Sequence, residues 1–294
     1  MDPGVEGVPG STRDGETRSL ASQVEELLDQ VETQPRPASL GGELRGRVAI
    51  VTGGSSGIGR AVALSLAAAG VDVAFTFLND GDPRSALDAE RTLDELERQG
   101  VRALCHPCDN RRPEEIRAFV PWVLGQMGGL HILVNNAGVG RDRALWRMED
   151  EAWETVIATN LSGAFYFTRE VAPHFREQEW GKIVNVSSVH AYRGEFGLAN
   201  YASSKAGLLG LTRSAALELG PSNVNVNVVA PGYIRTTRLT EGVPPEILDR
   251  ARDQSSLGRL GDPQDVANVV MFLCTEAARH ITGAVIPVDG GYLL

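Results

Sequence analysis

The sequence predicts an α/β chain built on one doubly wound parallel sheet, and three observations carry that prediction. From Arg45 onward, short apolar β-branched runs alternate with helical stretches, the pattern of a parallel sheet covered on both faces. The first run, Val48-Ala-Ile-Val-Thr52, passes straight into Gly53, Gly57 and Gly59 and then into a helical stretch. Far downstream, Tyr201 and Lys205 stand four residues apart, a spacing that puts both on one helix face.

The elements follow in order. Val48–Thr52 reads as a strand buried on both sides. Arg60–Ala69 reads as a helix stopped by Gly70. Val71–Phe77 is the second strand, Arg84–Gln99 a charged helix ended by Gly100, and Val101–Cys105 the third strand. A helix over about 114–125 precedes the fourth strand, His131–Asn135. One long helix is expected over Trp153–Phe175, then a strand over Lys182–Ser187 and the helix Ala199–Leu219 that carries the Tyr–Lys pair. Val224–Val229, a helix over Pro263–Leu273 and a last strand, Ala284–Val288, complete seven strands.

Residues 1–44 differ in composition. They are rich in Gly, Pro and Ser, and carry nine acidic against three basic residues, so they hold −6 of the net charge of −10. Such a segment is expected to be largely disordered. Within it Leu20, Val24, Leu27, Leu28 and Val31 recur at helical spacing, which fits an amphipathic helix over 19–32. The remainder, 45–294, is expected to be a single dinucleotide-binding domain.

Composition also excludes several functions. The acidic net charge argues against nucleic acid. No apolar run approaches the roughly 18 residues needed to span a bilayer, and the N-terminus lacks a basic-then-apolar leader, so a soluble, cytoplasmic protein is expected. Cys105, Cys108 and Cys274 form no disulfide framework. Cys105-His-Pro-Cys108 has the spacing of a redox pair, but it lies at a strand end where an ordinary packing role is expected. No metal site is expected.

Strand, glycine turn and helix together present backbone N–H groups and a helix N-terminus to a phosphate. Glycine lets the main chain approach a diphosphate closely. The spacing here is G-x-x-x-G-x-G. The lysine is informative for another reason: of 28 basic residues only Lys182 and Lys205 are not arginine. Position 205 keeps a compact ammonium with three donors where a planar fork was the habit elsewhere.

These motifs resemble the short-chain dehydrogenase/reductase family, over about 250 residues from Arg45 to the C-terminus. The resemblance rests on Thr52–Gly59, Asp109, Asn135-Asn-Ala-Gly138, Asn160, Ser188, Tyr201/Lys205, Pro231-Gly232 and Val288-Asp-Gly-Gly291. It implies a Rossmann-type fold and an NAD(P)-dependent oxidoreductase interconverting a ketone and a secondary alcohol. Tyr201 would be the general acid/base, its acidity raised by the neighbouring ammonium. Lys205 would also hold the nicotinamide ribose, Ser188 the substrate oxygen, and the Asn160 main chain a water in a proton relay. Ser187 is the adjacent competitor, which strand alternation sends to the other side; the family spacing selects Ser188.

By the same resemblance, Gly53, Ser55, Ser56, Gly57, Ile58, Gly59, Asn136, Ala137, Gly138, Pro231, Gly232, Ile234 and Thr236 would line the cofactor, with Tyr201 and Lys205. Asp109 would meet the adenine, with a helix N-cap as its rival role. The end of the second strand, Phe77-Leu78-Asn79, has no carboxylate to hold a ribose 2′-hydroxyl and Asp80 comes slightly late, so NADP(H) is favoured over NAD(H). Asn79, Ser56 and Arg84 are candidates for the 2′-phosphate. Ser188, His190, Tyr192 and Tyr201 are the expected substrate residues. Arg193, Arg235 and Arg238 either serve an anionic substrate or are solvated loop charges.

The overall pattern looks most like the 3-oxoacyl-(acyl-carrier-protein) reductases, which implies an acyl-thioester or other small-molecule substrate and a homotetramer. A dehydrogenase of a small polar alcohol, sugar or polyketide-type substrate is the alternative, and a non-catalytic dinucleotide-sensing regulator a remote one. Residues 176–180 are not basic, so they offer an acidic carrier protein little attraction.

Overall fold

Seven strands form one all-parallel sheet: β1 Val48–Val51, β2 Asp72–Phe77, β3 Ala103–Pro107, β4 Ile132–Asn135, β5 Gly181–Val186, β6 Val224–Pro231 and β7 Val285–Val288. Their order across the sheet is β3-β2-β1-β4-β5-β6-β7. This computed structural model describes residues 42–235 and 243–294. The helix expected over 19–32, together with Thr236 and Arg238, lies outside the described residues.

The chain winds one way from β1 to β3 and the other way from β4, so the switch falls between β1 and β4. Ligands of such sheets bind beyond the carboxyl ends of the strands at that crevice. Helices α1 Gly57–Ala68, α2 Pro83–Arg98, α3 Pro113–Met127, α4 Asp150–Ile157, α5 Gly163–Glu177, α6 Ala199–Leu219, α7 Pro245–Gln254 and α8 Pro263–Cys274 account for the crossovers and the far end.

Strand alternation explains how both faces are filled. Ala49 and Val51 of β1 join Val62 and Leu66 of α1 and Val266 and Val270 of α8 in one core. Val48 and Ile50 join Ile116 and Val120 of α3 and Phe167 and Val171 of α5 in the other. Each fully buried Leu, Ile or Phe in these cores contributes about 1.5–3 kcal/mol. Leu44, assigned from sequence to the N-terminal extension, is fully buried in the first core; the packed domain therefore includes Gly42–Leu44.

Two elements differ from the sequence reading. The helix expected over Trp153–Phe175 is interrupted by a π turn at Ala158–Ser162, where the Gly163 N–H donates to the Ala158 carbonyl. The stretch after Pro231-Gly232, to which the sequence analysis assigns no element, contains α7, opened by Pro245 in its first turn, a position that suits proline.

Candidate active site

The β1–α1 turn is built for close approach. Gly53 (φ +64°) and Gly57 (φ +54°) take left-handed backbone that a side chain strains. A Cβ on Gly59 would collide with the Gly53 carbonyl and Asn136 Nδ2. Thr52 ties this turn to the end of β4: its Oγ1 accepts from the N–H groups of Asn136 and Ala137, both at 3.0 Å. In return Asn136 Nδ2 donates to the carbonyls of Thr52 (2.9 Å) and Gly53 (3.1 Å). Ser56 occupies the N-cap of α1 without a side-chain cap bond, and the first turn holds no acid. The helix N-terminus is thus left open to an anion. Ser55 is buried, its carbonyl accepting from Thr92 Oγ1 at 3.1 Å.

Beyond β5 the two serines separate as alternation demands. Ser187 Oγ donates to the Lys205 carbonyl at 2.8 Å, anchoring α6 to the sheet. Ser188 turns to the other side, its hydroxyl near enough to that of Tyr201 to lower the phenol's pKa. It also accepts from the His190 N–H at 3.2 Å. Lys205 is buried; its Nζ donates to the Val186 carbonyl at 2.8 Å and lies 5.6 Å from the Tyr201 ring centroid. Asn160, inside the π turn, is 2% exposed. Its Oδ1 accepts from Val139 N (2.8 Å) and its Nδ2 donates to Val139 O (3.0 Å) and Ser204 Oγ (3.1 Å). One amide thereby fixes the loop after β4 to the helix of Tyr201. Such π turns recur at functional sites.

These groups share one cleft of about 750 Å³. Ile58, Asn136, Gly138, Pro231, Gly232 and Ile234 line it together with Ser188, His190, Tyr201 and Lys205. The family model described as enoyl-(acyl carrier protein) reductase matches residues 53–293. The 3-oxoacyl-(acyl-carrier-protein) reductase FabG of Aquifex aeolicus is 43% identical over 249 residues, covering 85% of this chain and 98% of that protein. The FabG of Staphylococcus aureus strain Mu50 is 40% identical over 243 residues, 83% and 96% of the two chains. A crystal structure from Sinorhizobium meliloti 1021, carrying the provisional description of a short-chain alcohol dehydrogenase, superposes with a TM-score of 0.79 at 37% identity. That match covers 85% of this chain and 97% of the other.

The chain belongs to the short-chain dehydrogenase/reductase family. It is an NAD(P)-dependent oxidoreductase of that family.

The electrostatics of this short-chain dehydrogenase/reductase site differ from the expectation that Lys205 acidifies Tyr201. Burial pushes the Tyr201 phenol up to about 12, opposed by the Ser188 hydroxyl and reinforced by Asp142. Burial also pulls the Lys205 ammonium down to about 8. Both charged forms lose solvation here, and that loss is the largest influence on each. At neutral pH the pair is a phenol beside an ammonium.

The remaining sequence-derived residues divide clearly. Asn79 is exposed at the end of β2. Asp80 accepts from Ser85 Oγ (2.8 Å) and Asp82 N (3.2 Å), and so helps shape the start of α2. Arg84 pairs with Asp82. The Asp109 carboxylate accepts from the side chain and the N–H of Arg111, the side-chain bond being the main reason its pKa is lowered. Asp109 does not cap α3, whose N-cap is Arg112. Asn135 bridges strands as expected, its Nδ2 reaching Asn185 Oδ1 at 2.8 Å. Burial pushes the Cys108 thiol up to about 12 and raises that of Cys105, which leaves both poor nucleophiles.

Of the substrate residues, His190 lines the cleft and Tyr192 does not. Tyr192 is 50% exposed, standing just past the short 3₁₀ turn Val189–Ala191 whose Val189 and His190 are buried. Arg235 pairs with Asp262, and Arg193 lies 5.0 Å from the Tyr292 ring centroid. Sequence reasoning missed Arg141, Asp142 and Arg143 after β4 and Leu198 before α6, which line the cleft with Phe196 and with Val243, Pro244, Ile247 and Arg250 around α7. Only α7 had a readable signal, a proline followed by Ile247 and Ala251 four residues apart. Among the described residues, no cluster could hold a metal ion and no helix is long and apolar enough to cross a membrane.

Proposed function

We propose that this oxidoreductase reduces the ketone of a 3-oxoacyl thioester at the expense of NADPH. The observation that carries the proposal is the convergence of Ser188, Tyr201, Lys205 and Asn136 on one cleft. The names of the Aquifex and Staphylococcus relatives support the thioester. Phe196, Leu198, Val243, Pro244 and Ile247 on the cleft wall would suit an acyl chain.

The dinucleotide fits the residues present. Gly59 has no room for a side chain, and the α1 N-terminus carries neither cap nor acid. In this reading Gly53, Ser55, Ser56, Gly57, Ile58 and Gly59 hold the diphosphate. Asn136, Ala137 and Gly138 line the adenosine side, and Pro231, Gly232 and Ile234 the nicotinamide side. Asp109 faces the adenine. NADP(H) is preferred because no carboxylate ends β2 and Asp80 is engaged with Ser85 and Asp82 N; Asn79, Ser56 and Arg84, the last paired with Asp82, are the candidate contacts of a 2′-phosphate.

The bound nicotinamide supplies the hydride. The protein supplies everything else. Ser188 donates a hydrogen bond to the ketone oxygen and fixes it beside Tyr201. The phenol, held protonated by burial, gives its proton to that oxygen as negative charge develops there. Lys205 holds the ribose with its ammonium and stabilises the phenolate left behind. Asn160 holds the loop and helix in register and, through its main chain, a water from which the proton lost by Tyr201 is restored by way of Lys205. A phenol pushed up to about 12 stays protonated at neutral pH, so a proton is present for the ketone oxygen. A homotetramer in the cytoplasm, with α6 and the edge strand β7 at subunit contacts, completes the proposal.

Oxidation of a small polar alcohol is the second reading, favoured by Asp142, His190 and Glu195 on the cleft wall. NADPH consumption with 3-oxobutanoyl-coenzyme A, 2-butenoyl-coenzyme A and a small hydroxyketone separates the readings. Turnover of the first alone, reduced about a thousandfold in Tyr201→Phe, is the expected result. Turnover of 2-butenoyl-coenzyme A alone would replace ketone reduction by enoyl reduction.

A further inference from the structure

The loop after β4 carries a charge that the proposed reaction does not use. Asp142 lines the cleft together with Tyr201 and Lys205. Its carboxylate has no hydrogen-bond or ion-pair partner among the described residues. Other carboxylates of the molecule are engaged: Asp109 with Arg111, Asp262 with Arg235, and Asp289 with the N–H groups of Gly291 and Leu293. The Asp142 loop is nonetheless held in place. The Arg141 carbonyl accepts from Asn200 Nδ2 at 2.9 Å, and the Arg143 N–H donates to the Gly197 carbonyl at 3.0 Å. Asn200 is fully buried, and its Oδ1 accepts from the Tyr201 N–H at 2.7 Å. Both neighbours of Asp142 are thus tied to the start of α6, and one amide joins the acid's loop to the main chain of Tyr201.

A fixed acid without a partner is felt across that end of the cleft. Asp142 adds to the rise in pKa of Tyr201 and Tyr233 and opposes the fall at His190. Glu195, the other carboxylate on the wall, acts on His190 and Tyr233 but is not among the influences on Tyr201. Arg141, Arg143 and Arg250 share the wall and are exposed. The guanidinium groups of Arg141 and Arg143 donate to the Gly140 and Asp142 carbonyls, both at 2.9 Å. Burial raises the Asp142 pKa, opposed by His190 and Arg143. Asp142 is itself exposed in the cleft, where water screens its charge. A substrate that fills the cleft displaces that water and strengthens the interaction.

We propose that Asp142 excludes ketones that bear a carboxylate beside the reacting carbonyl, the free 3-oxo and 2-oxo acids, while admitting their neutral esters, thioesters and amides. An anion seated at Ser188 and Tyr201 lies against a like charge that the loop cannot withdraw. Lys205 is the one opposing charge at that place, and the proposed reaction commits it to the ribose. Negative charge remote from the ketone is not penalised, because the three arginines stand on the same wall. The inference rests on the Ser188–Tyr201 reductase site proposed above and narrows its substrate class.

The test compares kcat/KM for 3-oxobutanamide with that for its near-isosteric anion, 3-oxobutanoate, at neutral pH in the full-length enzyme with NADPH. Wild type is expected to prefer the amide. Asp142→Asn lowers that preference ratio at least about tenfold, the scale of two like charges at close range once water is displaced. Asp142→Glu, which keeps the charge, retains most of the preference, and Glu195→Gln lowers it less than Asp142→Asn does. A merely structural acid would slow both ketones alike and leave the ratio unmoved in Asp142→Asn, which overturns the proposal. So does an equal fall in Glu195→Gln, which would make the exclusion a property of the general charge of the cleft. Should the variants fold poorly, wild type decides. Raising the ionic strength from about 0.02 M to about 0.5 M shrinks the preference for the amide if charge repulsion sets it, and leaves it unchanged if the proposal fails. Turnover of neither ketone, nor of 3-oxobutanoyl-coenzyme A, would remove the reductase reading itself, whereas turnover with an unmoved ratio removes the role of Asp142 alone.

Discussion

The two lysines of this chain sit at opposite ends of the same strand, and comparing them shows what burial of a cation does and does not mean. Lys182, near the start of β5, is 2% exposed and donates to Asn225 Oδ1 at 2.6 Å. Trp180 lies between it and Arg47, with the ammonium 5.3 Å and the guanidinium 4.2 Å from the ring centroid. Lys205, beyond the end of β5, is 3% exposed and donates to Val186 O. Burial lowers both pKa values. Only the neighbours differ: one ammonium faces an indole and an amide, the other a phenol, a serine and a cleft. Burial alone marks neither as functional; the company does.

The strongest way to break this comparison is to remove each charge. Lys205→Met is expected to lower NADPH-dependent reduction at least about a hundredfold while the protein stays folded, as read by kcat/KM alongside thermal melting. Lys182→Met should instead cost about 1–3 kcal/mol of stability by stranding the Asn225 oxygen, with kcat/KM of the folded enzyme held within about threefold. Equal activity losses would show that both lysines act through the fold.

A second contrast lies between two glycines. Gly59→Ala must displace the Gly53 carbonyl or Asn136, and is expected to cost about 1–3 kcal/mol and to weaken cofactor binding, measured by calorimetry. Gly125, in α3, has nothing within 4 Å of a Cβ and no left-handed backbone, so Gly125→Ala should gain about 0.5–1 kcal/mol. The smaller effect checks that the larger one belongs to the site.

The finest test is in pH. Lys205 is pulled to about 8 from its ordinary 10.5, so between those values the unfolded chain binds the extra proton. Wild-type stability therefore gains from this group as pH rises through that window. Lys205→Met lacks the gain, and its stability relative to wild type should decline from about pH 8 toward pH 10 in denaturant titrations. Dinucleotide affinity should fall over the same range as the donor is lost. A pH-independent difference between the two proteins would mean that the buried ammonium is already solvated.

Much of this was readable beforehand, for identifiable reasons. Strands buried on both faces leave continuous Val and Ile runs, and α6 was found with its observed limits, Ala199–Leu219. The two-residue period of a strand separated Ser187 from Ser188, while the preference for Ser188 came from the family spacing. The π turn was not readable, since it depends on Asn160 bonding Val139 and Ser204 from other segments. Asp142 and Arg143 enter the cleft on an irregular loop with no period to betray its direction. Tyr192 was misplaced because closeness in sequence to Ser188 says nothing about which way a 3₁₀ turn points. The lysine's effect on Tyr201 was the least readable, because proximity predicts attraction while desolvation, set by the whole fold, decides the sign.

The Thr52 hydroxyl has a consequence for how such proteins can be recombined. It accepts two main-chain N–H groups from the end of β4, while Asn136 returns two bonds to the glycine turn. A chimera whose crossover falls between these segments inherits half a clasp, and each half leaves polar groups stranded in the interior. The glycine turn and the Asn-Asn-Ala-Gly loop are exchangeable between relatives only as a pair, so the natural unit of transplantation here is a spatial neighbourhood, and no single stretch of chain contains it.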